Sequence, residues 1–240
     1  AAHRREAIRI FTGAPIPEGM DTVFMEEDCE KRLDEVVLPF GLQRGDNRRK
    51  KGEDITEGAK ILASGLKLRP QELALAASVG VQELCVRSKL RVAVFSTGDE
   101  VCDPGDNIDE CHIFDANRYS IMALLKNMQC EVTDLGIRPD NEGAIADAIR
   151  RAALDHDVII TSGGVSAGEE DHVKAAVEQQ GRLHLWRVAI KPGRPIALGQ
   201  IGHATFIGLP GNPVAAMVTF MVIARPVILK LAGAIEILAR

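Results

Sequence analysis

The sequence predicts an α/β fold: a three-layer, mostly parallel sheet domain preceded by a small β-rich domain. From residue 89 onward, apolar runs of strand length alternate with amphipathic runs of helical length. This alternation is typical of βαβ units with parallel strands and right-handed crossovers. Before residue 52 the apolar runs are shorter and are broken by turns such as PIPEG. With 240 residues, 46% of them hydrophobic, the chain can bury a substantial core.

Changes in sequence texture divide the chain into three predicted parts. Residues 1–51 form a partial β-rich domain that contains the runs AIRIFTG, DTVFMEED and EVVLPFG. Residues 52–88 form a connecting segment with one short helix, which starts at Pro70 and ends at Gly80. Residues 89–240 form the α/β domain.

The elements of the α/β domain are predicted from periodicity and from helix-capping residues. In chain order they are strand LRVAVFSTG, helix NRYSIMALLKNMQ, strand EVTDLGI, helix NEGAIADAIRRAALDH, strand DVIITSGG, helix EDHVKAAVEQQG, strands LHLWRVAI and ATFIGLPG, and helix NPVAAMVTFMVIARPVI. Asn212 is the expected cap of the last helix, and Pro213 lies in its first turn. Sheets of this kind bind ligands at the carboxyl ends of their strands.

Composition argues against several classes of partner. With 29 basic and 34 acidic residues the net charge is -5, so no global field attracts nucleic acid or an anionic membrane. The apolar run 214–224, which is interrupted by Arg225 and Pro226, is shorter than the ~20 residues of a membrane span, and we expect it to be part of a buried helix. The five cysteines form no CxxC pair and the N-terminus has no apolar signal region, so we expect a cytoplasmic protein with reduced thiols.

Three predicted strands end in glycine-containing loops. Their sequences are FSTGDE (residues 95–100), TSGGVSAGEED (residues 161–171) and GLPGNP (residues 208–213). One such loop is most simply a structural turn, but three on the same sheet edge favour an anion site built from free backbone N–H groups. A P-loop is excluded because Glu169 and Glu170 stand where Lys and Ser or Thr would be needed.

Acidic residues accompany these loops. They are Asp99 and Glu100, Asp140, and Glu169 to Asp171. Glu169 and Glu170 are most simply first-turn residues that complement a helix dipole. Asp171 lies further along and would face the crevice. Carboxylates beside a phosphate loop make sense if Mg²⁺ bridges them to the phosphates.

Positive charge enters through IKPGRP, where Lys191 and Arg194 flank a Pro-Gly turn. On a rigid turn these two cations would clamp a phosphate or another tetrahedral oxyanion, although an ordinary surface turn has the same composition. The histidines have no HxH or HExxH spacing, which argues against zinc. Ser162 and Ser166 lack a GxSxG frame, so a serine hydrolase is also disfavoured.

Taken together, six motifs resemble the molybdopterin molybdenumtransferase family, which includes the C-terminal part of gephyrin. They are RIFTGAPIPEG, NRRKKGEDI, FSTGDE, TSGGVSAGEEDHV, LWRVAIKPGRP and GLPGNPVAA, in order from about residue 8 to residue 231. The single-domain molybdopterin adenylyltransferases share the MogA-like α/β domain and the TSGG loop. They lack counterparts of TGAPIPEG and GEDI and are the poorer match.

The resemblance implies an enzyme that inserts molybdate into adenylylated molybdopterin and releases AMP with the help of Mg²⁺. It also implies a homodimer, with other cofactor-biosynthesis proteins as partners. The catalytic positions carried over are Thr12, Glu100, Asp140 and Asp171, of which Glu100 and Asp171 would bind the metal. The substrate-binding positions are Thr97, Gly98, Ser162, Gly163, Gly164, Ser166, Lys191, Arg194, Pro210, Gly211, Asn212 and Pro213.

The chain departs from the family pattern in two respects. Arg194 stands where many members have lysine, which keeps the charge but changes its geometry. A segment of SAMDGYA type before RIFTGAP and a β-barrel after Leu231 are missing, so the chain is either a fragment or an incomplete paralogue. Three functions stay open at this point: molybdenum insertion, adenylyl transfer from ATP, and a non-catalytic gephyrin-like scaffold. Molybdate and tungstate are not distinguished.

Overall fold

The chain folds into two compact units, Ala1–Ile61 and Leu62–Arg240. The computed structural model describes residues 6–107, 109–165 and 172–235. The limit between the two compact units lies after Ile61 and does not coincide with the domain limits expected from the sequence at residues 51 and 88, which stay a prediction.

The first unit contains the predicted small β-rich region. Its strands β1 (Glu30–Arg32) and β2 (Glu35–Val37) form an antiparallel hairpin in which Glu30 pairs with Val37. The runs AIRIFTG and DTVFMEED have high β-propensity, yet they form no ladder, and the second ends in a 3₁₀ turn at Glu26–Asp28. A β-prone run becomes a strand only when a neighbouring strand supplies its hydrogen-bond partners.

The second unit contains the α/β domain and the helix before it. Its elements are α1 (Pro70–Ser78), β3 (Arg91–Thr97), β4 (Val101–Cys102), β5 (Ile113–Phe114), α2 (Ala116–Asn127), β6 (Glu131–Arg138), α3 (Glu142–Asp155), β7 (Val158–Ser162), α4 (His172–Gln180), β8 (Arg182–Arg187), β9 (Pro195–Ile201), β10 (Ala204–Leu209), α5 (Pro213–Thr219), a π-helical turn (Phe220–Ala224) and α6 (Arg225–Leu231). As predicted, Pro70 opens α1, and Asn212 caps α5 by accepting a hydrogen bond from the Ala215 N–H.

Six strands form the central sheet in the order β6-β3-β7-β10-β9-β8. The β6–β3, β3–β7 and β7–β10 pairs are parallel, whereas β9 is antiparallel to both of its neighbours. The mostly parallel sheet is therefore confirmed. Sequence reasoning missed β9, because its residues PIALGQI follow the polar KPGR turn without an intervening helix, and it also extended β8 past Arg187.

Helices cover both faces of the sheet and create two cores. Alternate residues of β3 point to opposite faces, as the two-residue period of a strand requires. Ala93 and Phe95 pack with apolar residues of α3 and α4. Val92 and Val94 pack with apolar residues of α2 and of the last helical segment. The three-layer architecture follows from this arrangement.

The last helical segment corrects one expectation. The helix runs through Arg225 and Pro226, as predicted, but these residues do not end its apolar length, since Pro213–Leu231 is 19 residues long and apolar enough, by length and composition alone, to cross a membrane. The π-helical turn lies just before Pro226. In an α-helix the proline ring would collide with the carbonyl four residues earlier, and the wider π-helical turn gives it room. The segment is also not wholly buried, since Phe220 packs in the core while Val222 is 58% exposed. The core helix of a soluble protein can be equally long and equally apolar.

Candidate functional site

The three glycine-containing loops leave the sheet at one edge. β3, β7 and β10 are adjacent and parallel, and Ser162, the last residue of β7, pairs with Ser96 of β3 and Leu209 of β10. The KPGR turn (residues 191–194) lies at the same edge, because β8 and β10 are both antiparallel to β9. The structure therefore brings the predicted loops of the second unit together.

Asn117, near the start of α2, connects two of these loops: the TSGG loop (residues 161–164) and the PGNP loop (residues 210–213). Its Nδ2 donates to Ser162 Oγ at 2.8 Å and to the Gly211 carbonyl at 2.7 Å. Ser162 Oγ donates to the Pro210 carbonyl at 3.4 Å, and the Gly163 N–H donates to the Leu209 carbonyl at 3.1 Å. These hydrogen bonds hold the TSGG loop and the PGNP loop together, and the two joined loops (residues 161–164 and 210–213) are called the wall below.

Glycines serve different purposes within this wall. Gly163 has φ +89°, and a Cβ there would lie 2.2 Å from the Thr97 carbonyl oxygen, so the close approach of the β3 and β7 ends requires glycine. Gly164 has φ +67°, and its Cβ would lie 2.5 Å from a Val173 methyl. Gly211 is not forced in this way, because its Cβ would meet Gly163 Cα at an ordinary 3.8 Å. At Gly211 the absent side chain leaves the backbone open to a ligand.

Thr97 and Asp140 are joined beside this wall. The buried Thr97 hydroxyl donates to Asp140 Oδ1 at 3.2 Å, and the Asp140 N–H donates to Asp99 Oδ1 at 3.3 Å. The loop that follows β6 is thus fixed to the end of β3. Further polar atoms lie buried here without a described hydrogen-bond partner. They are Ser96 Oγ, Thr161 Oγ1 and Arg138 Nε.

Glu100 lies in a tight turn after β3. The Val101 N–H donates to the Gly98 carbonyl at 3.0 Å, and the Ile113 N–H donates to the Glu100 carbonyl at 2.8 Å. Gly98 has φ +141°, and the Glu100 carboxylate lies directly over it. A Cβ at Gly98 would lie only 2.9 Å from Glu100 Oε2. These two hydrogen bonds fix the backbone of Glu100, so its exposed carboxylate lies at the sheet edge.

The KPGR turn presents Lys191 and Arg194 to solvent. The Val188 N–H donates to the Arg194 carbonyl at 3.0 Å and closes the turn. Gly193 is buried with φ +108°, and a Cβ there would lie 2.5 Å from the Thr219 methyl, so the turn packs closely on α5. Neither cation forms an ion pair with a carboxylate of the described residues.

Several predicted site residues are not placed beside these loops. Ser166 and Asp171, with Glu169 and Glu170, lie outside the described residues. Thr12 belongs to the first unit, so its position at the site stays a prediction.

Two sequence profiles match the chain. The family described as "Probable molybdopterin binding domain" matches residues 93–230, more than half of the chain, and the "MoeA N-terminal region (domain I and II)" matches residues 1–80. The chain belongs to the MoeA family of molybdopterin-binding proteins.

Individual MoeA-family relatives agree with this result. A molybdopterin molybdenumtransferase of Haemophilus influenzae is 44% identical over 95% of this chain and 57% of its own length. Gephyrin of Dictyostelium discoideum is 32% identical over 96% of this chain and 36% of its own length. The crystal structure of a molybdopterin biosynthesis MoeA protein from Pyrococcus horikoshii superposes with a TM-score of 0.77 at 25% identity, covering 96% of this chain and 56% of that one. The chain thus spans little more than half the length of the Haemophilus and Pyrococcus proteins and 36% of the gephyrin.

A magnesium ion is compatible with the residues of the candidate site. Among the described residues, no three His, Cys, Asp or Glu side chains form a cluster that would hold a metal by themselves. Mg²⁺ usually takes one or two protein carboxylates and completes its shell with phosphate oxygens and water. The exposed Glu100 suits such an open site as one oxygen ligand.

Sequence reasoning missed Asn117 and its neighbour Arg118. Both follow Asp115, whose carboxylate caps α2 by accepting a hydrogen bond from the Arg118 N–H. The stretch DANR had a recognisable signal, an N-cap aspartate directly after a short strand, yet the helix was predicted to begin at Asn117 instead of Ala116. The partners of Asn117, Ser162 and Gly211, lie far away along the chain and become visible in the fold. Arg118 has one partner in its own helix cap, Asp115, and two on neighbouring strands or loops, Asp103 and Asp134.

Proposed function

We propose that this chain carries the nucleotide-pterin crevice of an enzyme that inserts molybdate into adenylylated molybdopterin and releases AMP. The observation that supports this most strongly is the convergence of the TSGG loop, the PGNP loop and the Thr97–Asp140 pair on one sheet edge. This edge is where α/β sheets bind their ligands. The Haemophilus influenzae relative is named a molybdopterin molybdenumtransferase, which agrees with a role in molybdenum transfer.

In this proposal, the rigid wall binds the pterin nucleotide. Gly211 lets a flat ring or a phosphate approach the backbone, while Asn117 keeps the two loops in fixed positions. Lys191 and Arg194 hold phosphate or molybdate, since both are exposed cations on a closed turn. A planar guanidinium that donates two parallel hydrogen bonds suits a tetrahedral oxyanion.

In the release of AMP, an oxygen of water or molybdate forms a new bond to one phosphorus of the pyrophosphate while the bond from that phosphorus to the bridging oxygen breaks, and negative charge accumulates on the departing phosphate. Mg²⁺, when bound, neutralises phosphate charge. Glu100 and Asp171 would hold it, and Thr97 and Asp140 would orient the neighbouring oxygens. The KPGR turn supplies further positive charge. Preorganised charges of this kind are the main catalytic resource in phosphoryl chemistry.

The proposal includes components that rest on the family resemblance. Thr12 has a catalytic role, Ser166 and Pro213 contribute to substrate binding, and the protein acts in the cytoplasm as a homodimer with other cofactor-biosynthesis proteins. Molybdopterin adenylyltransferase activity and a gephyrin-like scaffold are the competing outcomes of the test.

The test measures AMP by chromatography after the chain is mixed with adenylylated molybdopterin, molybdate and Mg²⁺. We expect AMP release, with Glu100→Gln and Asp171→Asn each lowering the rate by about 100-fold. Asp147→Asn, which changes a carboxylate paired with Arg150 on the exposed face of α3, serves as the control and keeps the rate.

Each competing function has its own outcome. Consumption of ATP in the presence of molybdopterin, without AMP release from the preformed adenylate, would indicate adenylyl transfer. Binding of a protein partner without binding of any molybdopterin derivative would indicate a scaffold. Unchanged AMP release by both carboxylate variants would refute the roles assigned to Glu100 and Asp171.

A further inference from the structure

Arg118 is a buried cation that connects three separate parts of the second unit. Its side chain is 3% exposed. Nε donates to Asp115 Oδ2 at 2.9 Å, Nη1 donates to Asp134 at 2.5 and 2.6 Å, and Nη2 donates to Asp103 Oδ1. Asp134 belongs to β6 of the central sheet. Asp103 follows β4 directly, and Asp115 follows β5 directly.

The strands that Arg118 connects are the ones that hold Glu100. β4 and β5 form a two-residue parallel pair, in which Val101 pairs with Ile113. The pair begins with the Ile113 N–H donating to the Glu100 carbonyl and ends with the Asp115 N–H donating to the Cys102 carbonyl at 2.9 Å. A ladder this short is marginal by itself. Arg118 closes it at the end away from Glu100 and fastens both strands to the sheet.

The charges around Arg118 explain why it can be buried. A buried guanidinium is costly unless carboxylates satisfy its donors, and here three do. Burial alone would lower the pKa of Arg118, but the hydrogen bonds to Asp115 and Asp134 raise it above its ordinary value. Tyr119 adds a second constraint, because its hydroxyl donates to Asp103 Oδ1 at 3.4 Å and the Arg118 guanidinium lies 5.0 Å from its ring centre.

We propose that Arg118 is a positioning residue that fixes the Glu100 carboxylate at the sheet edge through Asp103 and the β4–β5 pair. The importance of Glu100 for catalysis rests on the function proposed above, whereas the mechanical role of Arg118 does not. Lysine cannot replace it, because all N–H donors of an ammonium lie on one nitrogen and do not reach three carboxylates placed around a planar guanidinium.

Asp103→Asn tests the inference without unfolding the site. Asp103 is 44% exposed, and in this variant Asp115 and Asp134 still neutralise Arg118. We expect hydrogen exchange at the Ile113 and Asp115 amides to become about tenfold faster, with no change in the amides of β3 and β7. Asp147→Asn, which alters an exposed pair on α3, is the matched control and leaves all of these amides unchanged.

A double-mutant cycle separates positioning from a purely structural effect. If Asp103 acts through Glu100, Asp103→Asn slows AMP release about tenfold in the wild type but has almost no further effect in Glu100→Gln. Arg118→Lys should behave like Asp103→Asn, and Asp103→Glu should restore part of the rate. Independent effects that multiply in the double variant would overturn the inference, as would exchange of the Ile113 amide that stays unchanged.

Failure of the proposed function gives a different pattern. If the unaltered chain releases no AMP, the same cycle is measured on Mg²⁺-dependent binding of inorganic pyrophosphate by calorimetry. A coupled loss of affinity there supports the role of Arg118 even though molybdenum insertion is then wrong. Independent losses, or no loss in Asp103→Asn, contradict it.

Discussion

Arg118 and the KPGR turn use positive charge in opposite ways within the same unit. Arg118 is buried and donates to three carboxylates. Lys191 and Arg194 are exposed and form no ion pair with a described carboxylate. A neutralised cation contributes to the structure, whereas a cation without a counter-ion is available to an anionic ligand. The environment of an arginine, more than its presence in a motif, indicates which of the two it does.

The largest expected effect concerns stability at Arg118. Arg118→Ala leaves Asp115, 2% exposed, without its guanidinium partner, and breaking a buried pair in this way typically costs about 3–5 kcal/mol. Urea unfolding measures the change. Arg150→Ala removes an exposed ion pair with Asp147 and should cost less than about 1 kcal/mol. Equal losses in the two variants would remove the distinction between buried and exposed arginines.

Asn117 should show an intermediate loss of stability. Asn117→Ala leaves the Gly211 carbonyl and the Ser162 hydroxyl without the amide donor, which we expect to cost about 1–3 kcal/mol. Affinity for a pterin nucleotide should fall as well, because the two loops are no longer fixed to each other. Gln179→Ala, which removes an exposed hydrogen bond to Glu142, is the control in unfolding and binding measurements. A variant that unfolds and binds like the wild type would show that the hydrogen bonds of Asn117 are not needed to hold the two loops together.

The KPGR turn should show the reverse pattern. Lys191→Ala and Arg194→Ala should change stability by less than about 0.5 kcal/mol, since both side chains are exposed. Each should weaken binding of a phosphate-bearing ligand by about tenfold, and the loss should shrink at high salt because exposed charges are screened. Calorimetry at two salt concentrations measures both effects. Affinity that is independent of these cations would contradict their assignment as ligand groups.

The smallest expected effect is a pH dependence at Asp134. Burial alone would raise the pKa of Asp134, but hydrogen bonds from Arg118 hold it below its ordinary value. Its contribution to stability is therefore complete above the unfolded pKa, about 3.9, and is lost as pH falls through the lower folded value. The difference in unfolding free energy between the wild type and Asp134→Asn should shrink between about pH 5 and pH 3. A difference that is constant over this range would contradict the pairing.

Local patterns predicted most of the sheet domain, and long-range contacts explain what they missed. Continuous apolar runs located β3 and β7, which are buried on both faces, and the 3.6-residue period located the helices, because one side of each helix must be apolar. β9 was missed because an antiparallel hairpin needs no helix before it. The last helix was expected to be buried and too short in its apolar run to span a membrane, but it is 19 residues long and exposes Val222. Arg118 and Asn117 were missed because sequence does not show which carboxylates and carbonyls will surround a side chain.

A crystal structure of the chain with adenylylated molybdopterin tests the central claim most directly. We expect the pterin nucleotide between the TSGG loop and the PGNP loop, with its phosphates within hydrogen-bond distance of Lys191 or Arg194. Arg118 should keep its three carboxylate partners and make no contact with the ligand. A ligand bound elsewhere on the chain, or one whose phosphates contact Arg118 instead of the KPGR turn, would contradict the account.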